Sequence, residues 1–309
     1  MADNGGILMN AEFHPIDMDL SREEIIEKKE IAAGVGVYNL VLLRRDLGSL
    51  YPGMVLYTLR LQLGTKTLAL FRTNTYEYSP TAPIAAESAA RQKAGEWETL
   101  LRTDPEAFFA THREEVSKPP EKGGSDVLII QASPRADGNC SILAGWASEA
   151  AVGAGFTAEV VFPDDLWIRA CIGCYQCYNT GFCIFDDDMP TIIASLRHAR
   201  LLVICTPVYT SSVPGSLKLV IDRFQAYHAE ISLYREHESK KGLLFSVAGR
   251  KGTDNFTCVK RVIHDCMRNL HIIPAGEVFL DGIDRLRDIR KISGTETTIR
   301  NAVIAALEV

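Results

Sequence analysis

Residues 127–141 read VLIIQASPRADGNCS, a sequence that predicts a strand, a loop and the start of a helix. The apolar run from Val127 to Ala132 is typical of a strand buried inside a parallel sheet. A polar loop with proline and glycine follows, and a helix is predicted from Ser141 to Val152. Strand, loop and helix in this order form the first half of a βαβ unit. In open sheets of this kind, ligands bind beyond the carboxyl ends of the strands.

The chain beyond residue 152 repeats this alternation of strand and helix. Strands are predicted at 157–162, 201–206, 242–248 and 271–279. Helices are predicted at 217–226, 255–269 and 297–307. Five strands separated by helices predict an α/β fold with a doubly wound, five-stranded parallel sheet and right-handed crossovers.

The stretch SKPPEKGGS at 117–125 separates this α/β segment from the part before it. Proline, glycine and charge without apolar periodicity are typical of a linker. We therefore predict two domains, a small α+β domain of unknown role at 1–120 and an α/β domain at 121–309.

The first domain shows signals for both helices and strands. Ser21 and Glu24 have the spacing of a capping box, which predicts a helix from Arg22 to Ala33. Gly64-Thr65 joins two strand-like runs and suits a type II′ hairpin. Strands are predicted at 37–43, 54–63 and 66–73, and helices at 83–102 and 106–114.

Composition narrows the class of protein. The 309 residues have a net charge of −6, which argues against nucleic acid as a main partner because a phosphate backbone needs a cationic face. No apolar run approaches the roughly 18 residues that a membrane span needs. The first six residues lack the basic and apolar regions of a signal peptide. We expect a cytoplasmic protein without membrane association.

Polar loops follow three of the predicted strands. The loop after the first strand suits a phosphate, because Ser133 and Ser141 carry hydroxyls, Arg135 carries a cation and Gly138 permits tight backbone. An ordinary βα loop with a helix cap explains it equally well, and the dinucleotide pattern G-x-G-x-x-G is missing. After the third and fourth strands, small polar residues and an aromatic side chain suit a flat ring, although routine turns are the alternative. These residues are Pro207, Val208, Tyr209, Thr210, Ser211 and Gly249.

Four of the eight cysteines crowd one short loop with the spacing C-x2-C-x2-C-x5-C. They are Cys171, Cys174, Cys177 and Cys183. Closely spaced thiolates on one loop favour an iron–sulfur cluster. Zinc, redox-active thiols and a purely structural role remain alternatives. Asp186, Asp187 and Asp188 follow the loop, and we interpret them as a solvated acidic turn. We find neither a G-x-S-x-G nor an H-E-x-x-H motif, so no catalytic residue is named.

Residues 126 to about 280 resemble the iron–sulfur flavoproteins of the flavodoxin-like NADPH-dependent FMN reductase superfamily. The matching stretches are 132–135 with Gly138-Asn139, the cysteine loop with the following Asp187-Asp188-Met189, and 207–209 leading to Lys218 and Asp222-Arg223. The resemblance implies a flavodoxin-like fold, a [4Fe–4S] cluster on the four cysteines and a dimer or tetramer. It places the FMN phosphate near Ser133, Arg135, Gly138, Asn139, Cys140 and Ser141, and the isoalloxazine ring near 207–211 and Gly249. Cys140 stands where the family often has Ser or Thr.

From these observations we expect an FMN-dependent electron-transfer oxidoreductase with a [4Fe–4S] cluster. Its electrons would pass between a donor such as ferredoxin or NAD(P)H and an acceptor that the sequence does not identify. One alternative is a cluster-free NAD(P)H-dependent FMN or quinone reductase. A second alternative is a non-enzymatic docking protein in which a flavin senses redox state.

Overall fold

The structure, a computed structural model, describes residues 23–34, 36–112, 124–234 and 238–308. The chain divides into two compact units, Met1–Glu114 and Glu115–Val309. Most of the predicted linker and Ser21 of the predicted capping box lie outside the described residues. None of the helices in the described ranges combines the length and the apolar character needed to cross a lipid bilayer.

The first unit is an antiparallel sheet covered on one face by helices. Its strands lie in chain order, and the apolar face of the sheet packs against the buried stripe of the long helix, which includes Ala90, Trp97 and Leu101. The strands are β1 (Glu24–Ala33), β2 (Gly36–Asp46), β3 (Val55–Leu63) and β4 (Lys66–Asn74). The helices are α1 (Ala86–Thr103) and α2 (Pro105–Thr111). The small α+β unit therefore has a core of its own.

The predicted helix at 22–33 is wrong, because residues from Glu24 to Ala33 form the edge strand β1. Glutamate, lysine and alanine favour a helix locally, but pairing with β2 and burial of Ile31 override that weak preference. The charged residues of β1 suit an exposed sheet edge. The hairpin prediction fits better: Gly64 has φ +60° and Thr65 does not have a positive φ, as a type II′ turn requires.

The second unit is a parallel sheet of five strands in the spatial order β6-β5-β7-β8-β9. Counted within the unit, this order is 2-1-3-4-5, so the predicted flavodoxin-like α/β fold is confirmed. The strands are β5 (Val127–Gln131), β6 (Ala158–Val161), β7 (Leu201–Pro207), β8 (Lys240–Val247) and β9 (Ile272–Leu280). The strand order reverses at β5 and β7, and such a switch point opens a crevice at the carboxyl edge of the sheet.

Helices connect these strands and complete the core. Buried residues of β5, β7 and β8 pack with α3 and α10 in one cluster that includes Ile129, Val203 and Phe245. The predicted helix at 217–226 is in fact two helices that meet at the buried Phe224. The helices are α3 (Asn139–Gly153), α4 (Cys177–Thr180), α5 (Met189–His198), α6 (Gly215–Arg223), α7 (Gln225–Leu233), α8 (Thr257–Asn269), α9 (Ile283–Leu286) and α10 (Thr295–Leu307).

Candidate functional site

The loop between β5 and α3 is held from inside by the buried side chain of Gln131. Its Oε1 accepts a hydrogen bond from the Ser133 N–H at 2.5 Å, and its Nε2 donates to the Ser141 hydroxyl at 2.6 Å. The Ser141 hydroxyl in turn donates to the Arg135 carbonyl. Ser141 is therefore used within the loop. Sequence reasoning missed Gln131, because a glutamine inside an apolar run gives no sign of its bonding partners.

Glycine at 138 lets the loop pass close to Arg135, and two backbone N–H groups follow it at the start of α3. A Cβ on Gly138 would lie 3.0 Å from the Arg135 Cβ and 3.1 Å from its carbonyl oxygen. The N–H groups of Asn139 and Cys140 start α3 and have no intrahelical partner, so they can bind an anion. The Cys140 side chain is buried, and burial raises the pKa of its thiol to about 12, so it stays neutral.

Eleven of the twelve predicted flavin-site residues line one cavity of about 950 Å³ at the carboxyl edge of the sheet. Ser141 is the exception. The cavity belongs to the size class of small-molecule sites. Sequence reasoning missed the part of its wall that comes from the loop after β8 and from α9 and the turn beyond it. This part includes Arg250, Asn255, Ile283, Asp284, Arg287 and Arg290.

The loop after β7 forms a tight turn at the cavity wall. Thr210 and Ser211 both have positive φ, +49° and +61°, and Tyr209 and Ser212 exchange two backbone hydrogen bonds of 2.9 Å. Two such residues in succession are typical of a type I′ turn, which usually contains glycine or asparagine. Backbone strain of this kind concentrates at ligand sites. A Cβ on Gly249 would lie 2.5 Å from the Asp284 carboxylate, so a larger residue at 249 would force the Asp284 side chain to move.

The chemistry of the cavity fits a flavin mononucleotide. Arg135, Arg250 and Arg287 line it, and none of these guanidinium groups has a hydrogen bond or ion pair with another described residue. Together with the free N–H groups at the start of α3, they supply the positive charge that a phosphate needs. The turn at 209–212 adds an aromatic side chain and backbone, as a flat ring system needs.

The four clustered cysteines line a second, small cavity of about 100 Å³ with Ile172, Ile184 and Phe185. Gly173, Tyr175 and Gly181 have positive φ, and this lets the loop wrap around the cavity. Burial raises the pKa of Cys177 to about 12, and the neighbouring Cys174, Cys183 and Cys171 contribute smaller increases. All eight cysteines are free, so the cluster loop is not a disulfide scaffold.

A buried ion pair supports the cysteine loop. Arg223 donates from Nη1 and Nη2 to the Asp187 carboxylate at 2.5 and 3.0 Å, and from Nη1 to the Arg169 carbonyl. Both side chains are almost fully buried. Our prediction of a solvated acidic turn is therefore wrong for Asp187, because this carboxylate also accepts the N–H groups of Arg169 and Met189.

Arg223 also lines the cysteine cavity, which sequence reasoning missed. Its Nε is buried and has no hydrogen-bond partner among the described residues. Burial alone would lower the pKa of Arg223, but the Asp187 carboxylate and the Cys183 thiol outweigh it and raise that pKa. Arg223 thus places one N–H donor, without a partner among the described residues, at the wall of the cavity that the four cysteines line.

The chain resembles known proteins over this second unit. The family model described as NADPH-dependent FMN reductase matches residues 125–284. An iron–sulfur flavoprotein of Methanosarcina thermophila is 31% identical over 48% of this chain and 75% of its own length. An iron–sulfur flavoprotein of Methanocaldococcus jannaschii is 33% identical over 31% of this chain and half of its own length.

A further relative carries a name without iron or sulfur. This protein of Bacillus subtilis, named as an NAD(P)H-dependent FMN-containing oxidoreductase, is 33% identical over 32% of this chain and 51% of its own length. The family model and the first relative agree with the resemblance seen in the sequence motifs. The chain therefore belongs to the NADPH-dependent FMN reductase family, with iron–sulfur flavoproteins among its relatives, and is a flavin-dependent oxidoreductase.

Proposed function

We propose that the protein is an electron-transfer oxidoreductase that holds FMN in the large cavity and a [4Fe–4S] cluster on Cys171, Cys174, Cys177 and Cys183. The observation that carries the proposal is that one unit contains both a cavity with anion-binding backbone and a cavity lined by four thiols. FMN exchanges one or two electrons and a cluster exchanges one, so the pair links donors and acceptors of different kinds.

The residues of this chain then act by binding and positioning. The loop between β5 and α3, with Arg135, would hold the phosphate, and 207–211 with Gly249 would face the ring. The cysteines would be ligands, and no side chain is assigned as a general base. The electron donor is proposed to be ferredoxin or NAD(P)H, the protein a homo-oligomer, and its location cytoplasmic, where free thiols persist.

We expect FMN, not FAD, to co-purify with the protein, because the phosphate loop has no dinucleotide pattern. Replacing Arg135 by Ala and Gly138 by Val together removes a cation and places a side chain against the Arg135 backbone. The FMN dissociation constant should rise at least about tenfold, as expected from loss of one charged hydrogen bond.

Chromatography of the released flavin and titration of the apoprotein measure these outcomes. The surface variant Arg261→Ala serves as the control, because Arg261 is an exposed residue of α8 outside the cavity. FAD in the purified protein, or unchanged FMN affinity in the double variant, would contradict the assignment.

The donor set of the small cavity favours a cluster over a single zinc ion. Four sulfurs at about 2.3 Å from one zinc ion lie within roughly 4 Å of one another. Among the described residues, no group of three or more Cys, His, Asp or Glu side chains is placed to hold a single metal ion. The support for a cluster is that the four thiols line one cavity and come from one loop with the spacing C-x2-C-x2-C-x5-C, which can wrap an iron–sulfur cluster.

A cluster-free NAD(P)H-dependent FMN or quinone reductase is the second candidate function. The name of the Bacillus subtilis relative favours it. The two candidates differ in a direct assay: iron-free protein that turns over steadily with NAD(P)H and a quinone supports the second. Iron-dependent electron transfer from reduced ferredoxin supports the first.

We also propose that residues 1–120 and 121–309 are separate domains, with the first serving assembly or partner docking. Each of the two compact units has its own apolar core, and no cysteine lies in the first 120 residues. A chain starting at Gly124 is therefore expected to fold and to keep both FMN and the [4Fe–4S] cluster. Its oligomeric state or its rate with the native donor should change.

Circular dichroism, size-exclusion chromatography and flavin content measure these outcomes on the shortened and full-length proteins side by side. An insoluble shortened protein, or one that loses FMN after anaerobic reconstitution, would show that the domain boundary is misplaced.

A further inference from the structure

The wall of the large cavity extends past the part of the chain that matches the family model. That match ends at residue 284, whereas Arg287, Asp288 and Arg290 also line the cavity. These residues follow the short helix α9, in a turn that leads to α10. Charged side chains from beyond the matched residues therefore also line the cavity.

Asn139, the first residue of α3, fixes this segment beside the phosphate loop. Its Nδ2 donates to the Arg287 carbonyl at 3.2 Å, and its Oδ1 accepts the Ile289 N–H at 3.0 Å. Ile289 is fully buried in the core of the unit. Both hydrogen bonds join residues about 150 positions apart, so they place Arg287 next to the free N–H groups at the start of α3.

Arg287 has an unusual backbone conformation. Its φ is +61°, in the left-handed region that residues other than glycine seldom adopt. Such a conformation persists only where the surrounding structure holds it, and here the Asn139 amide and the closing bond of α9 do so. The backbone of Arg287, and with it the point from which the side chain extends, is therefore held in place at the cavity wall.

The phosphate loop itself has few side-chain donors left. The Ser141 hydroxyl is bonded within the loop, and the Asn139 amide holds the distant segment. The Cys140 thiol is buried. The Ser133 hydroxyl accepts the Arg135 N–H and keeps its own O–H as a donor. Backbone N–H groups, this one hydroxyl and cations must therefore supply most of the binding.

Of the two arginines of this segment that line the cavity, Arg287 is the one without an ion pair among the described residues. Arg290 is bound by both oxygens of Asp288, at 2.9 and 2.8 Å, which also removes Asp288 as a repulsive charge. Arg287 lines the cavity, and its guanidinium has no partner in the described part of the chain. A phosphate dianion beside the start of α3 is the ligand that this arrangement fits best.

We propose that Arg287 binds the FMN phosphate and that Asn139 is the positioning residue that holds it there. The proposal rests on the proposed FMN site. It assigns a phosphate contact to Arg287, which lies beyond residue 284, where the family-model match ends. Arg287 contributes to the affinity for FMN and not to the affinity for riboflavin, which has the same ring system without the phosphate.

The test compares FMN and riboflavin binding to full-length apoprotein by fluorescence titration. Arg287→Ala should raise the dissociation constant for FMN about tenfold or more and leave that for riboflavin within about twofold. Arg287→Gly should give the same result. Because glycine adopts a positive φ without strain, this second variant tests the loss of the side chain without disturbing the backbone. Added salt should reduce the difference between the variants and the wild type.

Arg285→Ala is the matched control, because Arg285 is an exposed residue of the same short helix that does not line the cavity. It should leave both dissociation constants unchanged. Unchanged FMN affinity in both Arg287 variants, or an equal loss for FMN and riboflavin, would overturn the assignment to phosphate. Wild-type protein that binds FMN no better than riboflavin would instead refute the phosphate site as a whole.

Discussion

Cys177→Ser protein purified without oxygen is expected to contain no [4Fe–4S] cluster and to keep its FMN. Cys177 is the most buried of the four clustered cysteines and begins α4, so its side chain lies deepest in the small cavity. A serine hydroxyl loses its proton less readily than a cysteine thiol, and its oxygen is a harder donor than the sulfur that iron–sulfur clusters bind. The substitution therefore leaves one iron of the cluster without its protein ligand. The broad absorbance beneath the flavin bands should disappear, and iron and sulfide should fall to background.

Cys205→Ser is the matched control for this experiment. Cys205 is fully buried in β7 and belongs to the core of the sheet, away from the cysteine cavity. Its replacement should lower stability but leave the iron content unchanged. Two results would contradict the cluster: stoichiometric zinc without iron in the wild-type protein, or equal iron in the Cys177 variant and the wild type.

The strands of the second unit were predictable because their signal is local. The central strands β5, β7 and β8 are buried apolar runs of five to eight residues, whereas the edge strands β6 and β9 are only partly buried. The polar loops after the strands mark the edge where the cavity lies. The candidate residues at 133–140 and 207–211 follow from this rule, since parallel strands place their carboxyl ends together. The cysteine spacing is also a local signal, because all four residues lie within thirteen positions of the sequence.

What sequence reasoning missed depends on contacts between distant residues. Gln131 and Asn139 are polar residues whose roles come from bonds across a loop and across about 150 positions. The pattern of apolar residues along the sequence contains no information about such bonds. The helix expected at 22–33 failed similarly, because pairing between β1 and β2 outweighed a local preference. Asp187 was misjudged because its partner Arg223 lies 36 residues further along the chain.

The second large effect is expected from the pair of Asp187 and Arg223. Asp187→Asn removes the charge that balances a buried guanidinium and weakens the anchor of the cysteine loop. Removing one partner of a buried ion pair typically costs about 3–5 kcal/mol of folding free energy. Urea unfolding of protein with equal cofactor content, followed by circular dichroism, should show a loss of this size.

Asp222→Asn is the control, because Asp222 lies next to Arg223 in α6 but pairs with Lys218 at the surface. Both of those side chains are about half exposed, so its loss should cost at most about 0.5 kcal/mol. A loss of stability in Asp187→Asn no larger than in Asp222→Asn would show that the buried pair contributes little.

The pH dependence provides an independent check on the same pair. Burial alone would raise the pKa of Asp187, but Arg223 and the N–H groups of Arg169 and Met189 lower it below the ordinary value. A lowered pKa in the folded state stabilises the protein above the unfolded pKa of about 3.9, and that stabilisation is lost as the pH falls through the folded value. The stability gap between wild type and Asp187→Asn should therefore be constant near neutral pH and shrink in acid. A gap that widens in acid would mean that the pKa of Asp187 is raised in the folded protein, so Arg223 would not stabilise the charged carboxylate more than burial destabilises it.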